Sequence, residues 1–312
     1  MQRDRPAKAA VREIWVNRIA AGASRHEQGE RPLYLTLSGA HGRDIELLIQ
    51  RGILSLTDVG SIAESDADLV VAVENSPDAE LALKTKFPGL KVVRQAVQDL
   101  IKSGNLLRGP TGVHEHYCRA SFVNLDLDEP LGGKFETDQL SFPVLQWIAK
   151  FAELHAKRPV IHWVLFLTLQ AQIPWEPLVC TRVQQNLAEN FGRVPRFAES
   201  ARALLGDDLY EALSERDPID WRSRPPQDSQ HLLMALVPKR LAQMLHDRGW
   251  FVRTVTNYRY GGEPPHASPM VTWVIEFHWD PRSSVTPDVV YSEGLQTALA
   301  SVGSIEEDGT VS

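Results

Sequence analysis

Two cysteines, Cys118 and Cys180, are all that this 312-residue chain carries. So few thiols exclude a disulfide framework and a thiolate zinc site. Basic charge is also short: 33 Lys and Arg against 40 Asp and Glu leave a net charge of −7. No global positive field draws the chain onto nucleic acid or anionic lipid, although a local basic patch stays open. Long apolar runs are missing. The longest, PVIHWVLFLTLQA at 159–171, is too short to span a bilayer and is broken by His162. The opening MQRDRPAKAAVREIW has no apolar stretch of the signal-peptide kind. Internal repeats and low-complexity tracts are absent, which excludes a solenoid. These absences predict a cytoplasmic globular protein. Its length suits one large domain, or one domain with a sizeable insertion. The first and last ten or so residues are expected to fray.

What is present alternates in period. Residues 8–22 carry Val11, Ile14, Trp15 and Ile19 at helical spacing, which predicts an amphipathic helix. A strand is predicted at 33–37, then a helix bearing Ile45, Leu48 and Ile49 that stops at Gly52. The segment 53–67 is irregular and long for an α/β connection. Further strands are expected at 68–75, 90–93, 120–127 and 160–169. Helices are expected at 77–89, after 95 up to Gly104, and at 140–157. Strands that are apolar throughout, alternating with helices, imply a doubly wound, mostly parallel sheet covered on both faces. Right-handed crossovers gather the strand ends along one edge, where such sheets bind ligands. Residues 175–248 read as helices between Pro-rich joints. Residues 249–260 and 270–280 then alternate at period two around GGEPPHAS, the pattern of a β-hairpin.

The turn after the first strand, LSGAHGRD, holds small residues where the backbone must pass close to a ligand, and a helix starts there with free N–H groups. Ser38, Gly39, Ala40 and Gly42 supply that lack of bulk. Asp44 suits the helix dipole but repels phosphate, so a cofactor without phosphates fits better than a dinucleotide. A tight turn needing small residues only for packing explains the loop equally well. Glu74 adds weight to the ligand reading. It ends the second predicted strand, beside the first, where its carboxylate can accept hydrogen bonds from both hydroxyls of a ribose.

Taken together, TLSGAHG, VVAVENS and NLDLDEPL resemble the class I S-adenosylmethionine-dependent methyltransferases over roughly residues 30–170 and the closing hairpin. That family's first strand ends in an acid-x-Gly-x-Gly-x-Gly loop; Thr36, Ser38, Ala40 and Gly42 occupy those places here. Its ribose-binding acid corresponds to Glu74, followed by Asn75. The Asp that contacts adenine after strand three is replaced by Ala96, with Gln95, Gln98 or Asp99 as substitutes. After strand four, Asp128 and Pro130 match the amino-methylating motif, while Glu129 and Leu131 replace a proline and the aromatic. Without that aromatic, a flipped base has no stacking surface, which disfavours base amino-methylation. The resemblance implies a seven-stranded sheet with an antiparallel last strand and a helical insertion. It divides the chain into an N-terminal helix and linker (1–30), a Rossmann-like core (31–174), a helical insertion (175–248), a closing hairpin (249–282) and a tail (283–312).

The function so implied is methyl transfer from S-adenosylmethionine to an unspecified nucleic acid, protein or small molecule. Methyl transfer needs alignment of the sulfonium with the acceptor, plus a base if the acceptor must lose a proton. Asp128 or Glu129 are the candidate bases and His116 a weaker one. Ser38, Gly39, Ala40, Gly42, Glu74, Asn75 and Gln95 are the candidate cofactor residues, and no metal is expected. The competing reading is a catalytically degenerate methyltransferase-like subunit, a scaffold in a bacterial multi-protein system such as DNA modification or antiphage defence. It would meet a nucleic acid or protein partner through the helical insertion. A third reading uses Asp126, Asp128 and Glu129 to hold a metal for hydrolysis. His114, His116 and Cys118 alternate onto one face of an extended chain but lack a fourth ligand nearby. The hairpin aromatics Trp250, Tyr258, Tyr260, Trp273 and Trp279, with Arg253 and Arg259, suit either base stacking or cross-strand core pairs.

Overall fold

The computed structural model describes residues 5–23, 33–96, 120–136, 139–155, 162–215, 218–261, 268–280 and 302–312. Eight helices occupy them: α1 (Pro6–Ala23), α2 (Arg43–Gln50), α3 (Pro77–Lys86), α4 (Pro143–His155), α5 (Pro177–Arg193), α6 (Pro195–Leu205), α7 (Asp207–Ser214) and α8 (Pro226–His246). The strands are β1 (Leu33–Thr36), β2 (Val70–Glu74), β3 (Lys91–Arg94), β4 (Ala120–Pro130), β5 (Lys134–Glu136), β6 (Gln139–Ser141), β7 (His162–Gln170), β8 (Trp250–Tyr260), β9 (Met270–Trp279) and β10 (Val302–Ile305).

Eight strands form one sheet in the order β10-β8-β9-β7-β4-β1-β2-β3. Only β9 runs against the others, between β7 and β8. The order reverses between β1 and β4, so the chain leaves both strands at one edge and turns to opposite sides, which makes a crevice there. With its antiparallel strand between the last two of the core, this is a methyltransferase-like fold carrying one strand more than the seven expected.

Alternation along the strands sorts side chains into two cores. Tyr34, Phe122, Phe166 and Val274 point to the side of α1, α2 and α3, where they meet Val11, Trp15, Ile45, Leu48 and Leu83. Leu35, Val123, Leu165 and Trp273 point the other way, to α4–α8. The interior of β7 is buried throughout because both faces are covered, which is why HWVLFLTLQ reads as one continuous apolar run. Gln230 near the start of α8 donates its amide to the carbonyls of Tyr260 and Met270, at 3.3 and 3.1 Å. The Trp250 indole reaches the Ala152 carbonyl at 2.9 Å. These bonds tie the hairpin to the helical layer.

Four sequence expectations are corrected. The helix expected at 140–157 starts only at Pro143; Leu140 and Ser141 belong to β6, which pairs antiparallel with β5. Strand β4 runs on to Pro130, three residues past its expected end, held by β7. The tail forms β10 parallel to β8, and Ser304 and Ser312 exchange two backbone bonds of 2.9 Å. The N-terminus is helical from Pro6, with Ala7 buried. The extension of β4 and the pairing of β10 depend on partners distant in sequence, so local periodicity could not supply them. The irregular 53–67 segment is real, closed by a bridge between Leu56 and Ile62 and by the Asp66 carboxylate on the Ser55 N–H at 2.7 Å. The helix expected after residue 95 lies outside the described residues.

Candidate functional site

The loop after β1 has two left-handed residues, Gly39 at φ 60° and Gly42 at φ 53°, a region costly for any residue with a Cβ. The two glycines serve different ends. A Cβ on Gly42 would lie 2.5 Å from the Phe87 ring and 2.9 Å from Leu83, so this glycine lets α2 begin against the end of α3. A Cβ on Gly39 would meet nothing within 4 Å. Gly39 therefore leaves its backbone approachable from outside, whereas Gly42 answers to packing. Ala40 and His41 form the exposed tip, braced by the Lys86 ammonium on the His41 carbonyl at 2.6 Å.

Glu74 meets this loop. Its carboxylate accepts the Gly39 N–H, and burial pushes its pKa up while that bond opposes the shift. The backbone N–H of Gln95 donates to the Glu74 carbonyl at 2.9 Å, which sets the end of β3 beside it. Asn75 is exposed at the strand end. Ser38 keeps its hydroxyl buried and without a partner. Gly39 and Glu74 thus meet, with Ser38 next to Gly39 in the chain; Gln95 is tied on through the backbone, Ala40 and Asn75 are exposed, and Gly42 turns inward. The set fits an adenosyl group: a carboxylate with free lone pairs for hydroxyls, a serine hydroxyl seeking a partner, and a bare glycine backbone.

Beneath the loop sits a buried polar cluster that the sequence did not announce. Asp44, 2% exposed, accepts the Tyr34 hydroxyl at 2.8 Å and the Thr36 hydroxyl at 2.6 Å. Asn124 Nδ2 donates back to those oxygens, at 2.9 and 3.3 Å. Asp44 faces inward and locks the start of α2 to the ends of β1 and β4. Burial, with Asp44 alongside, raises the Tyr34 pKa well above the phenolic range. Spacing in sequence offered no hint, since Asp44 also reads as a residue suited to the helix dipole.

The acids of β4 separate. Asp126 is largely buried, with Lys8 of α1 3.3 Å from its Oδ2. Burial lifts its pKa, opposed by Lys8 and Arg12. Asp128 and Glu129 are exposed, and the Asp128 carbonyl accepts the Gln170 amide at 2.9 Å. Leu131, where an aromatic would offer stacking, is fully buried, its carbonyl bonded to the Trp175 indole at 2.5 Å. His116, with His114 and Cys118, lies outside the described residues, as do Gln98 and Asp99. Among the described residues no group of His, Cys, Asp and Glu is arranged to hold a metal ion. Trp250 and Trp273 of the hairpin are core residues at 0% exposure, and Arg259 is turned to His231 at 3.1 Å.

By its strand order and single antiparallel strand the fold is methyltransferase-like. No protein-family profile matches the chain, and no curated protein sequence does. Among solved structures, it is similar to a variant of the 16S rRNA (adenine(1408)-N(1))-methyltransferase from Catenulisporales acidiphilia with cosubstrate SAM. Identity is 10%, 86% of this chain and 94% of that one are covered, and the TM-score is 0.36. A likeness this distant carries no weight for activity. No helix among the described residues is long and apolar enough to cross a membrane.

Proposed function

We propose that the chain binds S-adenosylmethionine at the ends of β1 and β2 and transfers its methyl group. The observation that carries this reading is the contact of the Gly39 N–H with the Glu74 carboxylate, which joins two features separated in sequence. Glu74 would hold the ribose hydroxyls. Ser38, Gly39 and Ala40 would pass under the methionine and ribose, with Asn75 and Gln95 beside the adenine. Asp128 and Glu129 stand at the exposed end of β4 as candidate bases, with His116 a further candidate. The helical segment 175–248 is proposed as an insertion that meets a nucleic acid or protein partner.

A second reading, a methyltransferase-like scaffold without catalysis, is favoured by two observations: the carboxylate meant for ribose is already engaged by its own loop, and both β4-end candidates face solvent. Calorimetry with S-adenosylhomocysteine separates the two. Catalytic use predicts micromolar binding that Glu74→Ala weakens by about tenfold to a hundredfold, the worth of one or two hydrogen bonds to a charged group. A folded protein that binds no adenosyl ligand would leave only the scaffold.

A further inference from the structure

Helix α1 runs along the sheet from the ends of the parallel strands towards their starts. Lys8, near its beginning, reaches Asp126 in the second half of β4. Arg18, towards its end, pairs with Glu276 of β9, which is registered with Val164 near the start of β7. Val11, Trp15 and Ile19 turn into the core, so the adjoining flank of Ile14, Arg18 and Ala21 overhangs the outer strands. Between that flank and strands β8 and β9 lies a cavity of about 550 Å³, within the range of about 300–1,000 Å³ that holds small molecules. Strands β7, β4 and β1 separate β9 from β2, so this cavity is remote from Glu74.

Its floor is rich in hydroxyls. Thr254, Thr256 and Tyr258 alternate along β8 and all line the cavity, Thr254 opposite Glu276 and Thr256 opposite Val274. Directly opposed side chains have Cβ atoms about 5 Å apart, and the two threonines are about 7 Å apart along the strand, so one small ligand spans Glu276, Thr254 and Thr256. Tyr258 tips over β10. A Cβ on its partner Gly303 would lie 2.7 Å from the ring, so the glycine makes room for it. Burial alone raises the pKa of this phenol, as expected of a hydroxyl without a bonding neighbour. Glu276 is 5% exposed, with one carboxylate oxygen paired to Arg18 and the other 3.6 Å from His162 Nε2. A buried ion pair adds little stability over apolar side chains of similar volume, so packing alone does not account for one here. The carboxylate's roughly four lone-pair sites outnumber these two partners.

We propose that this cavity binds a neutral polyhydroxylated ligand of sugar size. Ligand hydroxyls donate to the Glu276 carboxylate and exchange hydrogen bonds with Thr254 and Thr256, whose hydroxyls both donate and accept. Ile14 and Val274 cover the carbon skeleton. Arg18 already balances the charge of Glu276, so a charged ligand would bring an uncompensated ion into a half-buried site. Hexoses and pentoses share the required chemistry. The inference goes beyond the transferase reading and stands without it, because no cofactor residue takes part.

D-glucose and D-ribose are the probes, titrated without cofactor into protein labelled at its isoleucine methyl groups and followed by NMR. Tetrahydropyran and tetrahydrofuran, the same rings without hydroxyls, are the controls. At least one sugar should shift the Ile14 methyl signal saturably in the millimolar range, and which one does so identifies the ring size; the controls should not. The methyl of Ile45, in α2 behind the cofactor loop, should stay in place. Thr256→Val, which deletes one hydroxyl and keeps the shape, should weaken binding about fivefold, and Glu276→Gln by more. Tryptophan fluorescence checks that both variants fold, and Thr256→Val alone decides the matter if Glu276→Gln does not. No saturable shift at Ile14 with either sugar, equal binding of the controls, or indifference to the substitutions would overturn the proposal. Sugar-induced shifts at Ile45 in place of Ile14 would overturn it too, and would put the sugar at Glu74. Adenosyl-cofactor binding is measured separately, so the two readings fail independently.

Discussion

Lys239 of α8 is 6% exposed, and its ammonium lies 5.8 Å from the centre of the Phe197 ring on α6. Burial, with the neighbouring Arg240 charge added, lowers its pKa from 10.5 to about 8. At about 1.36 kcal/mol per pKa unit, holding that charge inside costs roughly 3 kcal/mol below pH 8. The ring returns about 0.5–1 kcal/mol of this. Lys239→Met keeps the length of the side chain and removes the charge, so the variant should be more stable by roughly 2–3 kcal/mol at neutral pH. The sign with pH follows from linkage. The folded-state pKa is depressed, so the unfolded chain binds more protons between pH 8 and 10.5, and wild-type stability rises across that window. Below it the penalty is complete, and above it both states are neutral. The gap between variant and wild type should therefore be full near neutrality and close towards pH 10.5. Urea unfolding of both proteins at several values from about pH 6 to about pH 10 reads this directly, other titrations cancelling in the difference. A variant less stable than wild type, or a gap that ignores pH, would show that the amine is solvated and that the packing of α8 on α6 is not as described.

The two loop glycines should part company under substitution. Gly42→Ala adds a clash with Phe87 to the backbone strain and should lose about 2–4 kcal/mol in thermal unfolding, whereas Gly39→Ala carries the strain alone, about 1–2 kcal/mol. Asp44→Asn, which leaves the Tyr34 and Thr36 hydroxyls short of an acceptor, should lose about 1–3 kcal/mol by urea titration. If the adenosyl reading holds, affinity should grow as pH rises through the raised pKa of Glu74, since the carboxylate form accepts the ribose protons. In Glu74→Gln calorimetry should find a flat profile, and a pH dependence that survives the substitution would assign it to another group.

Much of the crevice edge was legible in order. Continuous apolar strands such as VVAVE can only be buried on both faces, and an acid that ends such a run marks where the sheet meets solvent. That places Glu74 without coordinates. Gly39 and Gly42 look equivalent in sequence, and nothing local says that one faces open space and the other a phenylalanine forty-five residues on. Asp126, Asp128 and Glu129 likewise read as one acidic cluster. Their separation into one buried and two exposed groups needed α1 overhead, and α1 lies more than a hundred residues away.

The amino-acid sequence by itself determined the class of architecture, the hairpin that closes it and the residues at the tips of its first two strands. These are set by periodicity and by small residues at turns, which act over a few positions. Tertiary structure alone decided the eighth strand, the inward turn of Asp44 and the burial of Asp126 beneath α1. Those depend on which distant elements share a face, and the free energy of a buried polar group is set by its neighbours in space.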